Sequence, residues 1–470
     1  MAELWALSAV ELRRRLASGD VSSVEAVEAA LDRLLRLEPK LNAFVTVMAD
    51  EARAAARKAD DELAKGQGRG PLHGVPVSIK DMFNTAGVRT TGASKILEQW
   101  VPDADSALVE RLRAAGAILI GKGNQDEFGH GGTSTLSHFG PVHNPWDFER
   151  IAGGSSGGST AAVAAGIGPI AFGTETGSSV RRPSAYCGIF GFKPTFGIVS
   201  RYGSFRGAWS MDHVGVFGRT VADATLGLDV VAGYDPRDPA SVAQAAPGYS
   251  ARLSPAIAGL RVGILPNFLA DAAVTPPVRQ AFDVTVDVLR RLGAKIVELD
   301  VPELRYAAMT SMLTSSAEAS ANNVEWLRER PGDFVTTVRR RLASGLSITA
   351  SEYLTVQRAR YRIREAMREV YQRVDVVASP TTNRVAPKID EGSTGSGDET
   401  FRPSYNQSNI LRFPSMLGLP GCSVPCGADL AGLPIGAQLV ARWFADQSVL
   451  NLALAYEGAT DWHKRRPPLD

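Results

Sequence analysis

The sequence predicts an α/β protein, and three observations carry that prediction. Residues 261–265 read as a strand, 277–292 as a helix and 295–297 as a second strand, a βαβ unit that argues for parallel pairing with a right-handed crossover. Upstream, apolar strands at 75–79 and 117–121 bracket a helix at 106–115. Between Gly153 and Pro194 a glycine- and serine-rich loop runs into a helix, a short apolar strand and a second such loop. At 470 residues the chain has room for about three domains or for one large one.

Taken in order, the chain first offers Ser8 as the cap of a helix reaching residue 17, with Glu11 three positions on as a capping box. After the turn at Gly19-Asp20, Ser22 or Ser23 caps a second helix with Val24, Val27, Leu31, Leu34 and Leu35 on one face, and Pro39 is expected to end it. Residues 41–47 read as a strand and 51–65 as a third helix. The strand 75–79 delivers Lys80 at its end. Lysine is ordinarily a surface residue, yet one that closes Val-Pro-Val-Ser-Ile is expected to be at least partly buried.

Beyond the strand at 117–121, Asn124-Gln125-Asp126-Glu127-Phe128 enters a loop containing Gly129, Gly131 and Gly132. His130 and His138 within it are read as ordinary hydrogen-bonding loop histidines, because none of the six histidines completes a Ser-His-Asp arrangement. A helix follows at 221–232 and a polar connection at 233–251. Residues 301–370 are helical throughout. Tyr306, Met309, Met312 and Trp326 are the members of that segment that could touch a ligand, although packing on the core is the commoner fate of such side chains. Residues 391–400, rich in Gly, Ser and Asp, read as a mobile loop.

With 44% hydrophobic and 21% charged residues the composition is that of a soluble globular protein. A formal net charge of +1 supplies no electrostatic argument for nucleic acid or an acidic membrane as partner. The basic run His463-Lys464-Arg465-Arg466 reads as a solvated tail. Three cysteines cannot make a disulfide framework. Cys187, Cys422 and Cys426 sit in apolar contexts, as core thiols do, without companions at zinc spacing, so neither metal nor cofactor is expected. The amino terminus lacks the basic start and apolar core of a signal peptide, and no stretch reaches the roughly 20 apolar residues of a membrane span. A cytoplasmic protein is expected.

The densest chemistry lies in GGSSGGSTAAVAAGIGPIAFGTETGSSVRRPSAYCGIFGFKP, residues 153–194. Ser159 or Ser156 can cap a helix through 160–165, Gly166 and Gly168 stop it, and 169–172 form a strand. The loop 173–179 then has glycines that let backbone N–H groups turn toward one point. Two serine-bearing loops thus flank one helix–strand unit. A Walker loop would need Lys-Ser/Thr at its end, which is missing. A dinucleotide fingerprint would need a strand just before the glycines, and Ile151-Ala152 is too short for that.

Gly-Gly-Ser-Ser-Gly-Gly-Ser followed by GTETGSSVRRPSAYCGIFGFKPT resembles the signature of the amidase signature family of serine hydrolases. The likeness extends to GVPVSIKD around Lys80, Asn144-Pro145-Trp146, DVVASPT at 375–381 and GLPIGAQL at 432–439, and so covers nearly the whole chain. The resemblance implies one amidase domain over residues 1–470, built on a central mixed, mostly parallel sheet with helices on both faces. The variable helical segment at about 301–370 would frame the substrate. It also implies a Ser–cis-Ser–Lys triad of Ser179, Ser155 and Lys80, with the two serines 24 positions apart. The backbone N–H groups of Thr176, Gly177, Ser178 and Ser179 would form the oxyanion hole. The usual Asp-x-Gly-Gly-Ser stands here as Glu175-Thr176-Gly177-Ser178-Ser179, which places a side chain beside that hole and would strain the loop if the position required positive φ.

The expected reaction is hydrolysis of the acyl C–N bond of a small carboxamide, an acylhydrazide or a ureide, through an acyl-enzyme on Ser179 with Lys80 and Ser155 as proton relay. Substrate contacts are expected from Gly129, Gly131, Gly132, Arg182, Tyr306 and Met309, with Arg181 and Arg182 read first as structural. A homodimer is compatible with the family. A second reading rests on Asn124-Gln125-Asp126-Glu127-Phe128 and Asp235-Pro236-Arg237-Asp238. These segments resemble the glutaminase component of a tRNA-dependent amidotransferase, which works with partner chains.

Overall fold

The computed structural model describes residues 4–205, 207–393 and 409–469. Eleven strands form one sheet: β1 Phe44–Val47, β2 Pro76–Lys80, β3 Ile118–Gly123, β6 Ile170–Glu175, β7 Phe190–Lys193, β8 His213–Gly218, β9 Arg261–Ile264, β10 Lys295–Glu298, β11 Val376–Pro380, β12 Gly421–Ala428 and β13 Pro434–Ala441. A separate hairpin pairs β4 His143–Asn144 with β5 Asp147–Ile151. The order across the sheet is β1-β3-β2-β6-β8-β7-β12-β13-β11-β9-β10.

The sheet is mixed, as expected, but its parallel majority is not found. Parallel pairing occurs in β3–β2–β6 and in β11–β9–β10, and every other neighbouring pair is antiparallel. The βαβ unit read from residues 261–297 is one of those parallel blocks. The centre differs because β12 and β13 are joined by a tight hairpin through Gly432, at φ +81°, and a strand that returns at once can pair only antiparallel.

Helix starts follow the caps. Ser8 caps α1 (Ala9–Ser18) and Ser22 makes a full capping box with Glu25 at α2 (Ser23–Leu41). Pro39 does not end α2. The helix runs through it to Leu41, held across by buried Leu37 and Leu41, and stops at Asn42 in the left-handed region. The loss of one N–H so near the C-terminus removes a single hydrogen bond, which that burial outweighs. The helices read at 51–65 and 106–115 stand as α3 (Ala49–Ala64) and α4 (Ala107–Ala114).

Helices cover both faces of the sheet, and the strand alternation shows how. Ala171 of β6 faces a core cluster with Val27 and Leu31 of α2 and Ala161 to Ala165 at α5 (Gly157–Ala164). The next loop leads into α6 (Arg181–Cys187). Ile170 and Phe172 face the other way, into a second cluster with Val221, Ala224 and Leu228 of α7 (Val221–Val231). The three cysteines are free and buried in these cores. No helix among the described residues is long and apolar enough to cross a membrane. In the basic run at 463–466, Lys464 and Arg466 are exposed as expected of a solvated tail, whereas Arg465 is packed: it lies 4.7 Å over Trp146 and donates to the Gly432 carbonyl.

After the short α8 (Pro266–Asp271), the helix of the βαβ unit is α9 (Pro276–Arg291). Residues 301–370 form the expected helical segment, with α10 (Ala307–Asn322), α11 (Val324–Glu329), α12 (Thr336–Gly345) and α13 (Ala350–Arg373) as its main elements. It seats on Phe128, which stacks against Trp326 at 5.2 Å and meets Phe334 and Phe205 edge-on. That contact brings the segment against the glycine loop at 129–132. The mobile loop expected at 391–400 lies, from residue 394 onward, outside the described residues.

Candidate active site

The site assembles at the ends of two parallel neighbours. The register sets Ile79 of β2 opposite Phe172 of β6, so Lys80, the last residue of β2, reaches the end of β6. Its amine is completely buried and donates to Ser155 Oγ at 2.7 Å and to Thr174 Oγ1 at 2.9 Å. Burial pushes the Lys80 amine from 10.5 down to about 7, against the pull of Asp126, Asp212 and Glu175. The amine is therefore about half neutral at pH 7 and able to accept a proton.

Ser155 follows a cis peptide bond after Gly154. The neighbouring backbone is pinned by the loop 126–134: Gly154 donates to the Gly132 carbonyl at 2.9 Å and Gly157 to Ser134 Oγ at 2.9 Å. Ser156, one of the two expected caps of α5, does not cap it through its side chain. Its hydroxyl donates to the Thr174 carbonyl at 3.2 Å, tying the serine loop to β6.

Ser179 sits in the turn between β6 and α6, 6% exposed. Glu175 shapes this turn. Its carboxylate accepts from the backbone N–H of Val180 and Arg181 at 3.0 and 3.1 Å and from the Arg181 guanidinium at 2.5 and 3.0 Å. Burial would raise the Glu175 carboxyl, but Arg181 and Lys193 hold it below its ordinary value, so it stays ionised. Arg181 is fully buried and also donates to Gln438, to the Leu411 carbonyl at 2.7 Å and to the Gly177 carbonyl at 3.1 Å. Its role is structural.

The N–H groups of Thr176, Gly177, Ser178 and Ser179 make no hydrogen bond among the described residues. Ser178 is not in the left-handed region, whose non-glycine members among the described residues are Asn42, Ala93, Phe128, Ser134, Ala273 and Phe444. The serine in place of glycine thus carries no positive-φ strain. Lys80 and Ser155 are in contact, whereas the Ser179 hydroxyl has no hydrogen-bond partner among the described residues.

The glycine loop serves the site by closeness. A Cβ on Gly129, at φ +78°, would stand 3.3 Å from Met82 Sδ and 3.6 Å from Ser155 Oγ. One on Gly131 would strike the Asp126 carboxylate, and one on Gly132 the Arg182 guanidinium. A pocket bounded by Met82, Gly129, Thr174, Thr176, Phe205 and Asp212 opens beside this constellation. Asp212 shapes its floor, accepting from Thr176 Oγ1 at 2.5 Å and from the N–H of Gly207 and Ala208.

Tyr306 and Met309 are not in that lining. They are 58% and 42% exposed, Tyr306 in the turn just before α10 and Met309 on the outward side of that helix, whose inward residues include Ala307, Ala308, Thr310, Ser311 and Thr314. Ser311 of α10 is linked to the serine turn through Arg412, whose Nη1 donates to its hydroxyl at 3.3 Å and stands 3.0 Å from the Cβ position of Gly177. Sequence reasoning also misses Thr174 and Asp212. His130 is not an ordinary loop histidine either: its Nε2 is enclosed without a partner, and its ring lies with Thr176 and Asp212 around Gly207. Burial pushes it down to about 4, so it is neutral.

The Amidase family model matches residues 25–450. The chain belongs to the amidase signature family. A glutamyl-tRNA(Gln) amidotransferase component from Roseiflexus castenholzii is 42% identical, over 99% of this chain and 98% of that one. Among solved structures, the one reported as "An unexpected vestigial protein complex reveals the evolutionary origins of an s-triazine catabolic enzyme" superposes with a TM-score of 0.90 at 34% identity, over 96% of this chain and 98% of that one. The corresponding glutamyl-tRNA(Gln) amidotransferase chain of Thermotoga maritima superposes at 0.80 with 30% identity, over 97% and 95%. This member of the family is a hydrolase acting on C–N bonds.

The two segments that resemble the glutaminase component hold the fold together. Asn124 donates to the carbonyls of Asn42 and Gly140, and Asp238 pairs with Arg201 at 3.0 Å while Arg237 bridges Asp235 and Glu110.

Proposed function

We propose that this amidase cleaves a carboxamide through an acyl-enzyme on Ser179. The carrying observation is the buried Lys80 amine, 2.7 Å from the Ser155 hydroxyl and near neutrality at pH 7. In the proposed sequence, Ser179 Oγ attacks the carbonyl carbon while its proton passes to Ser155 and the Ser155 proton to Lys80. The carbonyl oxygen, now an anion, accepts from the N–H groups of residues 176–179, and each such donor lowers the barrier by about 3 kcal/mol. The C–N bond then breaks as the relayed proton reaches nitrogen. Water attacks the ester by the reverse path and frees the acid.

Of the finer readings, the comparisons favour the glutaminase component of a tRNA-dependent amidotransferase, since amidotransferase chains align over nearly the whole sequence. In that reading the carboxamide is glutamine, the product is ammonia, and partner chains and tRNA belong to the working assembly. The stand-alone amidase, acting on a small amide, acylhydrazide or ureide, is favoured instead by the likeness to the s-triazine-associated structure. Purified chain is to be assayed alone and with co-expressed partner chains, on glutamine and on a panel of amides, hydrazides and ureas. Ammonia release from glutamine that requires partners supports the first reading; turnover of panel amides by the lone chain supports the second. A Ser179→Ala protein with wild-type turnover removes the nucleophile from both.

A further inference from the structure

Asp126 is completely buried, and no cation stands within 4 Å of its carboxylate among the described residues. Its oxygens accept instead from the N–H groups of Thr133 and Leu136 at 3.2 and 3.1 Å and from the Thr133 hydroxyl at 3.4 Å. A carboxylate shut away from water without a counter-ion is costly, and three long hydrogen bonds offset that cost only in part.

The side chain is wedged beside the relay serine. A Cβ on Gly154, the residue before Ser155, would strike the Asp126 carboxylate, and so would one on Gly131 across the loop. The Asp126 N–H donates to the Ser155 carbonyl at 3.4 Å. The Asp126 carbonyl accepts from Gly129, whose Cβ position lies 3.6 Å from Ser155 Oγ. The same loop reaches the far side of the serine, where Ser134 Oγ accepts from Gly157 at 2.9 Å. Ser155 is thus bracketed through residues 154 and 157, and Asp126 ties together the loop that does it.

The charges around Lys80 single out the same residue. Against the burial that lowers the Lys80 amine, Asp126, Asp212 and Glu175 pull the other way, Asp126 hardest. Glu175 is spent on Arg181, and Asp212 on Thr176 and two backbone N–H groups of the pocket floor. Arg182 feels Asp126 as well but stands beyond 4 Å from it, and burial keeps His130, also near Lys80, neutral. When Ser155 passes its proton on, Lys80 becomes an ammonium in a place closed to water, where a nearby carboxylate acts most strongly.

We propose that Asp126 is a positioning residue of the relay, holding Ser155 against Lys80 and supplying the counter-charge for the ammonium that forms as Ser179 attacks. It rests on the Lys80–Ser155 relay of the amidase reading and adds the acid that serves it.

The probe is a fluorophosphonate, whose rate of reaction with Ser179 is followed from pH 5 to 9 in the full chain. The wild-type rate should rise to a plateau with an inflection near 7. In Asp126→Asn the inflection should fall by about one pH unit, because the ammonium loses its counter-charge, and the plateau should drop roughly tenfold as the base weakens. Ser134→Ala loosens the bracket with the charge in place, and should lower the plateau about threefold with the inflection unmoved. An Asp126→Asn profile that superimposes on wild type overturns the proposal. So does a lowered plateau with an unmoved inflection in protein that melts at the parent temperature, which is the mark of a merely structural role. Should Asp126→Asn not fold, Asp126→Ser is read by the same criteria. If neither folds, Ser134→Ala decides: a wild-type plateau overturns the bracket and a threefold loss supports it. Failure of the amidase reading looks different, because the wild-type profile itself then lacks the inflection near 7.

Discussion

The pH dependence of turnover tests the site most sharply, because Lys80 is the one group whose charge state the mechanism requires to be unusual. A free lysine titrating near 10.4 leaves roughly one amine in 2,500 neutral at pH 7. Burial brings Lys80 to about 7, where half are neutral. That displacement corresponds to about 5 kcal/mol of preference for the uncharged amine. The measurement is kcat/KM from pH 5 to 9 on an amide that does not itself ionise in that range. It should rise about tenfold per pH unit below 7 and level off above 8, with an apparent pKa near 7. Lys80→Met should remove the rising limb and lower turnover by about a thousandfold or more. A profile flat from pH 6 to 8, or one that inflects near 10, refutes the assignment of Lys80 as the base. Stability gives an independent reading with a definite sign. Because the folded pKa lies below the unfolded one, the unfolded chain holds this proton between about 7 and 10.5 and the folded chain does not. Lys80 therefore opposes folding at neutral pH, and that penalty is relieved as pH rises through the window and vanishes above it. Against the hydrogen bonds lost by Ser155 and Thr174, at about 1 to 1.5 kcal/mol each, Lys80→Met should still stabilise the fold at pH 7 by about 2 kcal/mol. Urea unfolding checks this.

Ser179→Ala should abolish labelling by a fluorophosphonate probe, whereas Ser155→Ala should keep slow labelling and lose the pH limb; equal labelling in both variants contradicts the roles given to the serines. Thr174→Val removes one of the two hydroxyls that aim the Lys80 amine, and should lower kcat about tenfold with KM little changed, measured by steady-state kinetics. Arg181→Met strands Glu175 in a dry site and should cost about 3–5 kcal/mol in urea unfolding. Glu175→Gln in the same protein should recover part of that loss.

Much of the site is legible in the sequence because its chemistry sits in contiguous runs. Lys80 at the end of an apolar strand and serines in two glycine-rich loops are local patterns, and the fold needs only to bring them together. What the sequence hides depends on register and on segments far apart. Thr174 reaches Lys80 because β2 and β6 pair in parallel with Ile79 opposite Phe172, a register no single strand encodes. The antiparallel centre of the sheet escapes because the βαβ period is strong at 261–297, while the β12–β13 hairpin lies after a long helical excursion. Tyr306 and Met309 stand out by residue type in a segment whose inward face is small and polar. Period-3.6 reasoning favours large apolar residues for a buried face, and here Ser311 and Thr314 occupy it instead. Arg412 has a signal, a charge inside the apolar run Ile410-Leu411-Arg412-Phe413, that local patterning alone does not use.

The Glu175–Arg181 pair explains how the serine turn can be both rigid and open. A turn of this length must satisfy its backbone N–H groups or expose them. Glu175 takes those of Val180 and Arg181, and Arg181 in turn takes the Gly177 carbonyl. Every one of these bonds lies outside the N–H groups of residues 176–179, so the turn is fixed without using the donors an oxyanion would need. Ser178 fits the same logic. Because the turn is held by a buried ion pair rather than by a left-handed residue at 178, a side chain is tolerated where the family pattern has glycine. The integrity of this loop therefore depends on Arg181 more than on glycine, which is why Arg181→Met should unfold the turn while a Ser178→Gly change should leave stability within about 0.5 kcal/mol of wild type.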